Sequence, residues 1–266
     1  SMNFIPNNSP FAGREGQFLT SRHLGERLFK ETLSDIALLV EELTDAVGFK
    51  VSGRGELHLS ILVEKMRREG FEFQITRPQV IFKEENGVKL EPFEELVIDV
   101  DERFQGKVIE SLGGRKGLMQ NMQHHGSGMV RLLYKIPTRG LLGFRSEFMT
   151  LTKGLGVMNY VFAEYGPYSG DLRNRANGVL IAMENCVTTA YDLFTLQERG
   201  MLFMGPGVEV YAGQILGEHS RENDLVVNPG RGKKLTNVRN TAAEEKKVLT
   251  PHLQFSLEDC IDFIND

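Results

Sequence analysis

Residues 47–76 read VGFKVSGRGELHLSILVEKMRREGFEFQIT, and this stretch determines the fold expected for the first part of the chain. Residues 47–51 form a short apolar run beside a glycine, which is typical of a strand. Residues 56–69 place leucine, isoleucine and methionine at helical spacing, and Gly70 ends the predicted helix. Residues 71–76 then alternate apolar and polar side chains, which indicates a half-buried strand. The stretch is therefore strand, helix, strand.

The residues before this stretch complete a ferredoxin-like unit. An extended piece surrounds Phe4, a helix is capped at Ser21, and residues 36–40 read as a strand. The resulting order is β-α-β-β-α-β, the split unit of ferredoxin-like domains. The next eighty residues repeat this order, with strands predicted at 96–100, 119–123, 129–136 and 157–162 and helices at 104–112 and 141–151.

The last hundred residues change character, because glycines separate several short apolar runs. A helix is predicted near 191–198 and another opens at Ser256; strands are predicted at 178–183, 207–211, 214–218 and 225–227. The predicted fold is therefore α+β: two ferredoxin-like domains followed by a strand-rich mixed α/β C-terminal domain. The predicted domain boundaries are 1–79, 80–165 and 166–266.

Composition excludes several classes of protein. The chain has 266 residues and a formal net charge of −5, so a uniformly basic nucleic-acid binder is excluded. Cys186 and Cys260 are its two cysteines and form no paired motif, which excludes a disulfide scaffold and favours a reducing, cytoplasmic location. No apolar run approaches the ~20 residues of a membrane span, so no membrane partner is expected.

Catalytic motifs are missing from this sequence. It contains no Walker A motif, no G-x-G-x-x-G, no H-E-x-x-H and no G-x-S-x-G. His124 and His125 could ligate a metal ion only if the strand bends, because neighbouring side chains on a strand point to opposite faces. A polar turn at a strand end is the preferred interpretation. We therefore predict no catalytic residue, no metal site and no cofactor in this chain.

The remaining candidate is a basic segment, residues 226–241, which contains four cations and no acid. Proline and glycine disfavour a regular helix or central strand here, which predicts an exposed loop. Basic side chains contact phosphates, while amides reach sugar hydroxyls and base edges. A solvated surface loop is the alternative. The predicted RNA-binding residues are Arg231, Lys233, Lys234, Asn237, Arg239 and Asn240.

A weaker second patch comprises Arg115 and Lys116, which follow two glycines, together with His124 and His125. Its alternative interpretation is a solvated helix end.

Four sequence motifs resemble a known family. The string NNSPFAGREG at 7–16 and SGRGELHL at 52–59 resemble the third domain of translational GTPases related to elongation factor G and LepA. PTRGLLGFR at 137–145 and the GKKLTN core within 228–240 are similar to the BipA/TypA branch of that group. The similarity extends over essentially the whole chain.

The resemblance implies that this chain corresponds to the third, fifth-type and C-terminal domains of such a GTPase. GTP and Mg²⁺ would then belong to an N-terminal domain outside this sequence, and the chain itself would not hydrolyse GTP. The implied partners are the ribosome in its A-site region, 23S-type rRNA and the tRNA acceptor end, contacted by a monomer. Membership also implies roles in ribosome assembly and stress-responsive translation.

A second class of function stays open from the residues themselves. Duplicated ferredoxin-like units also serve as ligand- or protein-binding regulatory modules. Salt dependence separates the two hypotheses, since phosphate contacts weaken steeply with salt and a small-ligand response does not.

Overall fold

The computed structural model describes residues 1–126, 128–172, 177–231 and 248–264. The chain forms two compact units: unit 1 comprises Ser1–Arg173 with Leu257–Asp266, and unit 2 comprises Asn174–Ser256. Both predicted ferredoxin-like domains therefore lie in unit 1. Unit 2 contains most of the predicted C-terminal domain, but not its last helix.

The first half of unit 1 has the predicted β-α-β-β-α-β order. Its elements are β1 (Met2–Pro6), α1 (Ser21–Thr32), β2 (Leu39–Glu42), β3 (Phe49–Ser52), α2 (Glu56–Arg68) and β4 (Phe73–Ile75). The antiparallel sheet has the order β2-β3-β1-β4. Leu28 and Met66 of the two helices are completely buried in one core with Phe4 and Val51 of the sheet.

The strand predicted at residues 36–40 begins later than expected. Ile36 is fully exposed, and β2 starts at Leu39. The Asp35 carboxylate accepts a hydrogen bond from the Ala37 amide at 3.0 Å, which closes a local turn in place of strand pairing. An apolar run therefore identified the strand but not its first residue.

The second half of unit 1 repeats the arrangement. Its elements are β5 (Lys83–Glu85), β6 (Val88–Asp101), α3 (Glu102–Gly114), β7 (Leu118–His125), β8 (Met129–Pro137), α4 (Thr138–Leu141), α5 (Phe144–Leu151) and β9 (Val157–Pro167). The sheet order is β5-β6-β8-β7, and β9 also pairs with β6. One face is buried under α3 and α5, where Ile98, Leu132 and Phe148 are fully buried.

Strand β6 is longer than the five residues that the apolar pattern predicted. It begins at Val88 because Asn86 and Gly87 form a tight turn, with φ angles of 53° and 76°, that pairs β6 with β5. An Asn-Gly pair favours this hairpin geometry because both residues tolerate positive φ.

The helix predicted over 141–151 is interrupted. Helix α4 ends at Leu141 and α5 begins at Phe144, with Gly143 between them at a φ of +68°. Glycine adopts this left-handed conformation readily because it has no Cβ atom, so the chain changes direction here.

Unit 2 is strand-rich, as predicted. Its elements are β10 (Val179–Ala182), β11 (Cys186–Val187), α6 (Ala190–Leu196), β12 (Gly200–Leu202), β13 (Glu209–Val210), β14 (Ile215–His219) and β15 (Leu225–Val227). Four strands form a sheet of order β12-β14-β10-β15, in which β10 and β15 are parallel, and β11 pairs with β13. Leu180, Leu193 and Leu216 lie in its core. The predicted α+β class is confirmed.

The helix that opens after Ser256 packs in unit 1 and not in the predicted 166–266 domain. This helix, α7 (Leu257–Phe263), lies against α2, and its Ile261 is 1% exposed within the core of the first half. Burying a side chain of this size stabilises the docked helix by about 1.5–3 kcal/mol. This apolar contact is the reason that α7 belongs to unit 1, and the spacing of residues in the sequence does not reveal it.

A pair of carboxyl groups lies where α7 meets α2. Burial, together with a hydrogen bond to the neighbouring Asp262 carboxyl, raises the pKa of Glu56 to about 8. The pair shares a proton at neutral pH, because two adjacent carboxylates repel each other.

Replacing Glu56 with Gln is expected to reduce the pH dependence of stability. The folded-state pKa lies above the ordinary value of 4.5, so the folded chain retains a proton that the unfolded chain loses between those values. The free energy of unfolding therefore falls as pH rises through this window, and from pH 6 to pH 8 the Glu56 contribution falls by roughly 2 kcal/mol. Urea denaturation at both pH values measures it.

Glu110→Gln, at an exposed position on α3, is the matched control and should keep the wild-type pH dependence. An identical fall in stability for Glu56→Gln and wild type would contradict the shared proton.

Candidate nucleic-acid interface

The chain that leads into the predicted RNA-binding segment is tightly held in unit 2. After β15, the Val227 carbonyl accepts a hydrogen bond from the Met183 amide at 2.8 Å, and the Pro229 carbonyl accepts one from the Thr189 amide at 2.9 Å. The Asn228 side chain accepts from the Gly230 amide at 2.9 Å and donates to the Glu184 carboxylate. These hydrogen bonds therefore fix the path of the backbone as far as Arg231.

Only glycine fits at position 230, because a side chain there would collide with β11. A Cβ atom there would lie 2.6 Å from the Cβ and 2.7 Å from the Sγ of Cys186, and 3.1 Å from the Val187 carbonyl oxygen. Real Cβ atoms do not approach that closely, so the glycine lets the chain pack directly on β11. The sequence predicted that this glycine would disfavour a helix, and in the structure it also allows close packing against β11.

The Gln197 side chain makes three hydrogen bonds to the chain that follows the segment. Its Nε2 donates to the Val248 carbonyl at 3.2 Å, and its Oε1 accepts from the amide and the hydroxyl of Thr250 at 2.9 and 2.7 Å. Leu249 packs against the core of unit 2. The returning chain is thus attached by polar and apolar contacts together.

Helix α6 connects the two attachment points. Thr189, which holds the outgoing chain, is its N-cap, and its hydroxyl accepts a hydrogen bond from the Asp192 amide at 3.3 Å. Gln197, which holds the returning chain, is its C-cap. The helical rise from one cap to the other is about 12 Å. Both ends of the intervening segment are therefore held on one rigid element.

Charge is distributed unequally between the segment and the body that holds it. The described residues of unit 2, 177–231 and 248–256, include three basic and seven acidic side chains. Residues 232–247 include five basic and two acidic side chains. The segment is therefore the cationic part of an otherwise acidic unit.

Of the predicted RNA-binding residues, Arg231 is described and its side chain is exposed. The other five lie outside the described residues: Lys233, Lys234, Asn237, Arg239 and Asn240.

The weaker second patch is not a single site. Arg115 and Lys116 follow the end of α3, whereas Nδ1 of His124 lies 3.3 Å from a carboxylate oxygen of Glu102, the first residue of α3. A helix of thirteen residues separates its ends by about 20 Å. The grouping predicted from sequence is therefore wrong, because β7 runs antiparallel to the helix direction and carries its histidines away from Arg115.

Arg115 is also committed to contacts within unit 1. Its Nη1 donates to the carbonyls of Gly140 and Leu142, each at 2.9 Å, and its Nη2 donates to Glu147 at 2.7 Å. This guanidinium joins α3 to the break between α4 and α5, so its role is structural. Lys116, by contrast, is exposed.

His125 is exposed at the end of β7, so the two histidines lie within a strand and not in the predicted turn. Within the described parts of the chain, no three His, Cys, Asp or Glu side chains converge to hold a metal ion. None of the described helices combines the length and hydropathy needed to cross a bilayer.

A cavity that the sequence did not predict lies beside the returning chain. Its volume is about 520 Å³, and Gln197 and Thr250 line it together with Met201, Leu202 and His219. Apolar walls with a few polar groups are typical of sites for small organic ligands. Only tertiary packing of α6, β12 and β14 brings these residues together.

The architecture of the second half of unit 1 has a counterpart among known families. Residues 88–176 match the family model described as elongation factor G C-terminus. The fold thus includes a domain of the class found in elongation factor G-type translation factors.

The similarity to one branch of that class extends over the whole chain. Residues 177–266 match the TypA/BipA C-terminal domain. The chain is 53% identical to the large ribosomal subunit assembly factor BipA of Salmonella typhimurium and of Escherichia coli K12, and 50% identical to that of Buchnera aphidicola from Acyrthosiphon pisum. The chain belongs to the BipA/TypA family, as its motifs indicated.

Each of these matches covers 100% of this chain and 44% of the relative, so the chain spans less than half the length of the curated relatives it matches. A crystal structure of a Thermus thermophilus protein superposes on 63% of this chain and 40% of its own, with a TM-score of 0.42 and 15% identity. That superposition is too loose to bear on the assignment.

Replacing Gln197 with Ala is expected to loosen the returning chain. The variant loses three hydrogen bonds, each worth about 0.5–1.5 kcal/mol, so the Thr250 amide should exchange its hydrogen about tenfold faster. Amide hydrogen exchange followed by NMR measures this protection directly.

Gln197→Glu is the matched comparison, because a carboxylate still accepts from Thr250 but cannot donate to Val248. It should keep most of the protection at Thr250. Equal exchange in Gln197→Ala and wild type would show that Gln197 does not hold this chain.

Proposed function

We propose that this chain is the ribosome-binding portion of a translational GTPase and that residues 231–240 contact ribosomal RNA. The observation that carries the proposal is the cationic segment held at both ends on α6 of an acidic unit. The curated relatives are named large ribosomal subunit assembly factors, which supports the ribosome as partner.

The charge contrast supports RNA over a protein partner. Phosphates of the RNA backbone attract the cations of residues 231–240 and repel the seven acids among the described residues of unit 2, so RNA should bind the cationic residues in preference to the rest of the unit. Arg231, Lys233, Lys234 and Arg239 supply phosphate contacts, and Asn237 and Asn240 supply contacts to sugars or base edges.

The finer proposal is docking in the A-site region, with contacts to 23S-type rRNA and to the tRNA acceptor end. The chain would act as a monomer in the cytoplasm, in ribosome assembly or stress-responsive translation.

GTP and Mg²⁺ would bind elsewhere in the parent protein. Both matched family models describe C-terminal domains, which supports a binding role for this chain and leaves hydrolysis to a domain outside it.

Replacing Lys233 and Lys234 with Ala together is expected to weaken binding to the large ribosomal subunit. Each lost phosphate contact reduces the salt slope of log K by about 1, so the double variant should lower it by about 2. Affinity at low salt should fall about tenfold or more. Co-sedimentation with large subunits across a salt series measures both quantities.

The matched control is Arg199→Ala with Arg221→Ala, which removes two exposed cations from the same unit. This control should keep wild-type binding, and both double variants should change the free energy of unfolding by no more than about 0.5 kcal/mol. Equal loss of binding in the two variants would contradict a specific contact by residues 231–240.

A further inference from the structure

A cavity of about 370 Å³ lies within unit 1, where its two ferredoxin-like halves meet. The start of α2, residues 78–81, β6, α4 and β9 all contribute to its wall. The proposed RNA contact uses none of these elements. The cavity is within the size range of small-molecule sites, and most of its lining is apolar.

One acidic side chain is almost completely buried against this cavity. Glu94 is 8% exposed, and its Oε1 accepts a hydrogen bond from the Thr138 hydroxyl at 3.0 Å. Its Oε2 has no hydrogen-bond partner among the described residues. Burial raises the pKa of this carboxyl, since a charge in an apolar wall is costly.

A second carboxyl and a phenol line the same cavity as Glu94. Glu56, whose pKa is about 8, lines the same cavity. Burial raises the pKa of Tyr160, and the negative charges of Glu56 and Glu94 raise it further. The Tyr160 hydroxyl is therefore within electrostatic range of both carboxyl groups.

Other acids of unit 1 are bonded to cations. Glu91 is fully buried and its carboxylate is bonded to Arg139, and half-buried Glu31 is bonded to both Arg27 and Lys65. Among the described residues, no Lys, Arg or His side chain is bonded to Glu56 or Glu94. The cavity thus contains two carboxyl groups without a bonded cation, although Arg54 and Ser1 also line it.

The part of the wall that β9 contributes is aromatic, and Phe162 is the cross-strand partner of Glu94. Tyr160 and Phe162 are each 53% exposed, and Tyr165 lies beside Phe162 with ring centroids 5.7 Å apart. The Lys83 ammonium already sits 4.1 Å from the centre of the Tyr165 ring, which shows that this wall accepts an organic cation.

We propose that this cavity binds an organic ammonium ion with an apolar body, such as an alkyl amine. The ammonium group would lie against the unpartnered oxygen of Glu94, in the cavity that Glu56 also lines, and the alkyl chain would pack on Tyr160 and Phe162. Aromatic faces beside a buried carboxyl favour such a cation over a hydrated metal ion, which prefers an all-oxygen shell.

The pH dependence follows from the groups that surround Glu56. Asp262 disfavours its charge, Glu94, Tyr160 and Arg54 line the same cavity, and Arg145 lies near Tyr160. At another edge, the Ser1 ammonium is bonded to the Gln79 carbonyl. An incoming cation favours the carboxylate, so binding should release protons at pH 7 and strengthen as pH rises from 6 to about 8.

Isothermal titration calorimetry of the 266-residue chain with putrescine and with n-butylamine tests the proposal, with butan-1-ol as the uncharged probe. Both amines should bind and the alcohol should not. The heat should vary with the ionisation enthalpy of the buffer. Glu94→Gln, which keeps the acceptor for Thr138, should lower amine affinity by about tenfold or more, the effect of one charge-assisted contact.

Glu95→Gln is the matched control, because Glu95 is the exposed neighbour of Glu94 on the opposite face of β6. It should bind both amines as wild type does, and circular dichroism should show both variants folded. Absence of amine binding at about 10 mM, well above the affinity of even a weak specific site, would overturn the proposal. Equal affinities for Glu94→Gln and wild type, or displacement of putrescine by equimolar Mg²⁺, would overturn it as well.

Discussion

Each ferredoxin-like half of unit 1 depends on burying one face of its sheet under helices. Phe4 and Val51 in the first half, and Ile98 and Leu132 in the second, have almost no exposed surface because helices cover that face. The apolar area removed from water supplies most of the favourable free energy of folding. The other features, including the cavity between the halves, take their positions from these two covered sheets.

Charged side chains are compensated by opposite charges in some parts of the molecule and not in others. In unit 1, buried Glu91 is bonded to Arg139 and half-buried Glu147 is bonded to Arg115. Glu56 and Glu94 have no bonded cation among the described residues, and both line one cavity. In unit 2 the contrast is between an acidic body and a cationic segment. These two places where charges are not locally compensated are therefore the two places where we propose binding.

Sequence patterns predicted the presence of helices and strands more accurately than the residues at which they begin and end. Periodicity identified the β-α-β-β-α-β order of each half, because most of these elements have an apolar face, and it missed β5, whose three residues are charged and exposed. It misplaced the start of β2 at Ile36 and missed the break at Gly143, since a side-chain contact and a single positive φ decided those points. It also grouped Arg115 with His124, although α3 holds them apart.

The candidate RNA segment could be recognised from residue types alone, because cations without acids and with interspersed glycines are a local property of residues 226–241.

Composition and spacing therefore determined the α+β class, the duplication and the family, all of which depend on short-range periodicity and on local motifs. The tertiary structure alone decided that Gln197 holds Thr250, that α7 returns to the core of unit 1, and that Glu56 and Glu94 share one cavity. Those contacts join residues that are distant in sequence, and their free energy comes from complementary surfaces that no local pattern encodes.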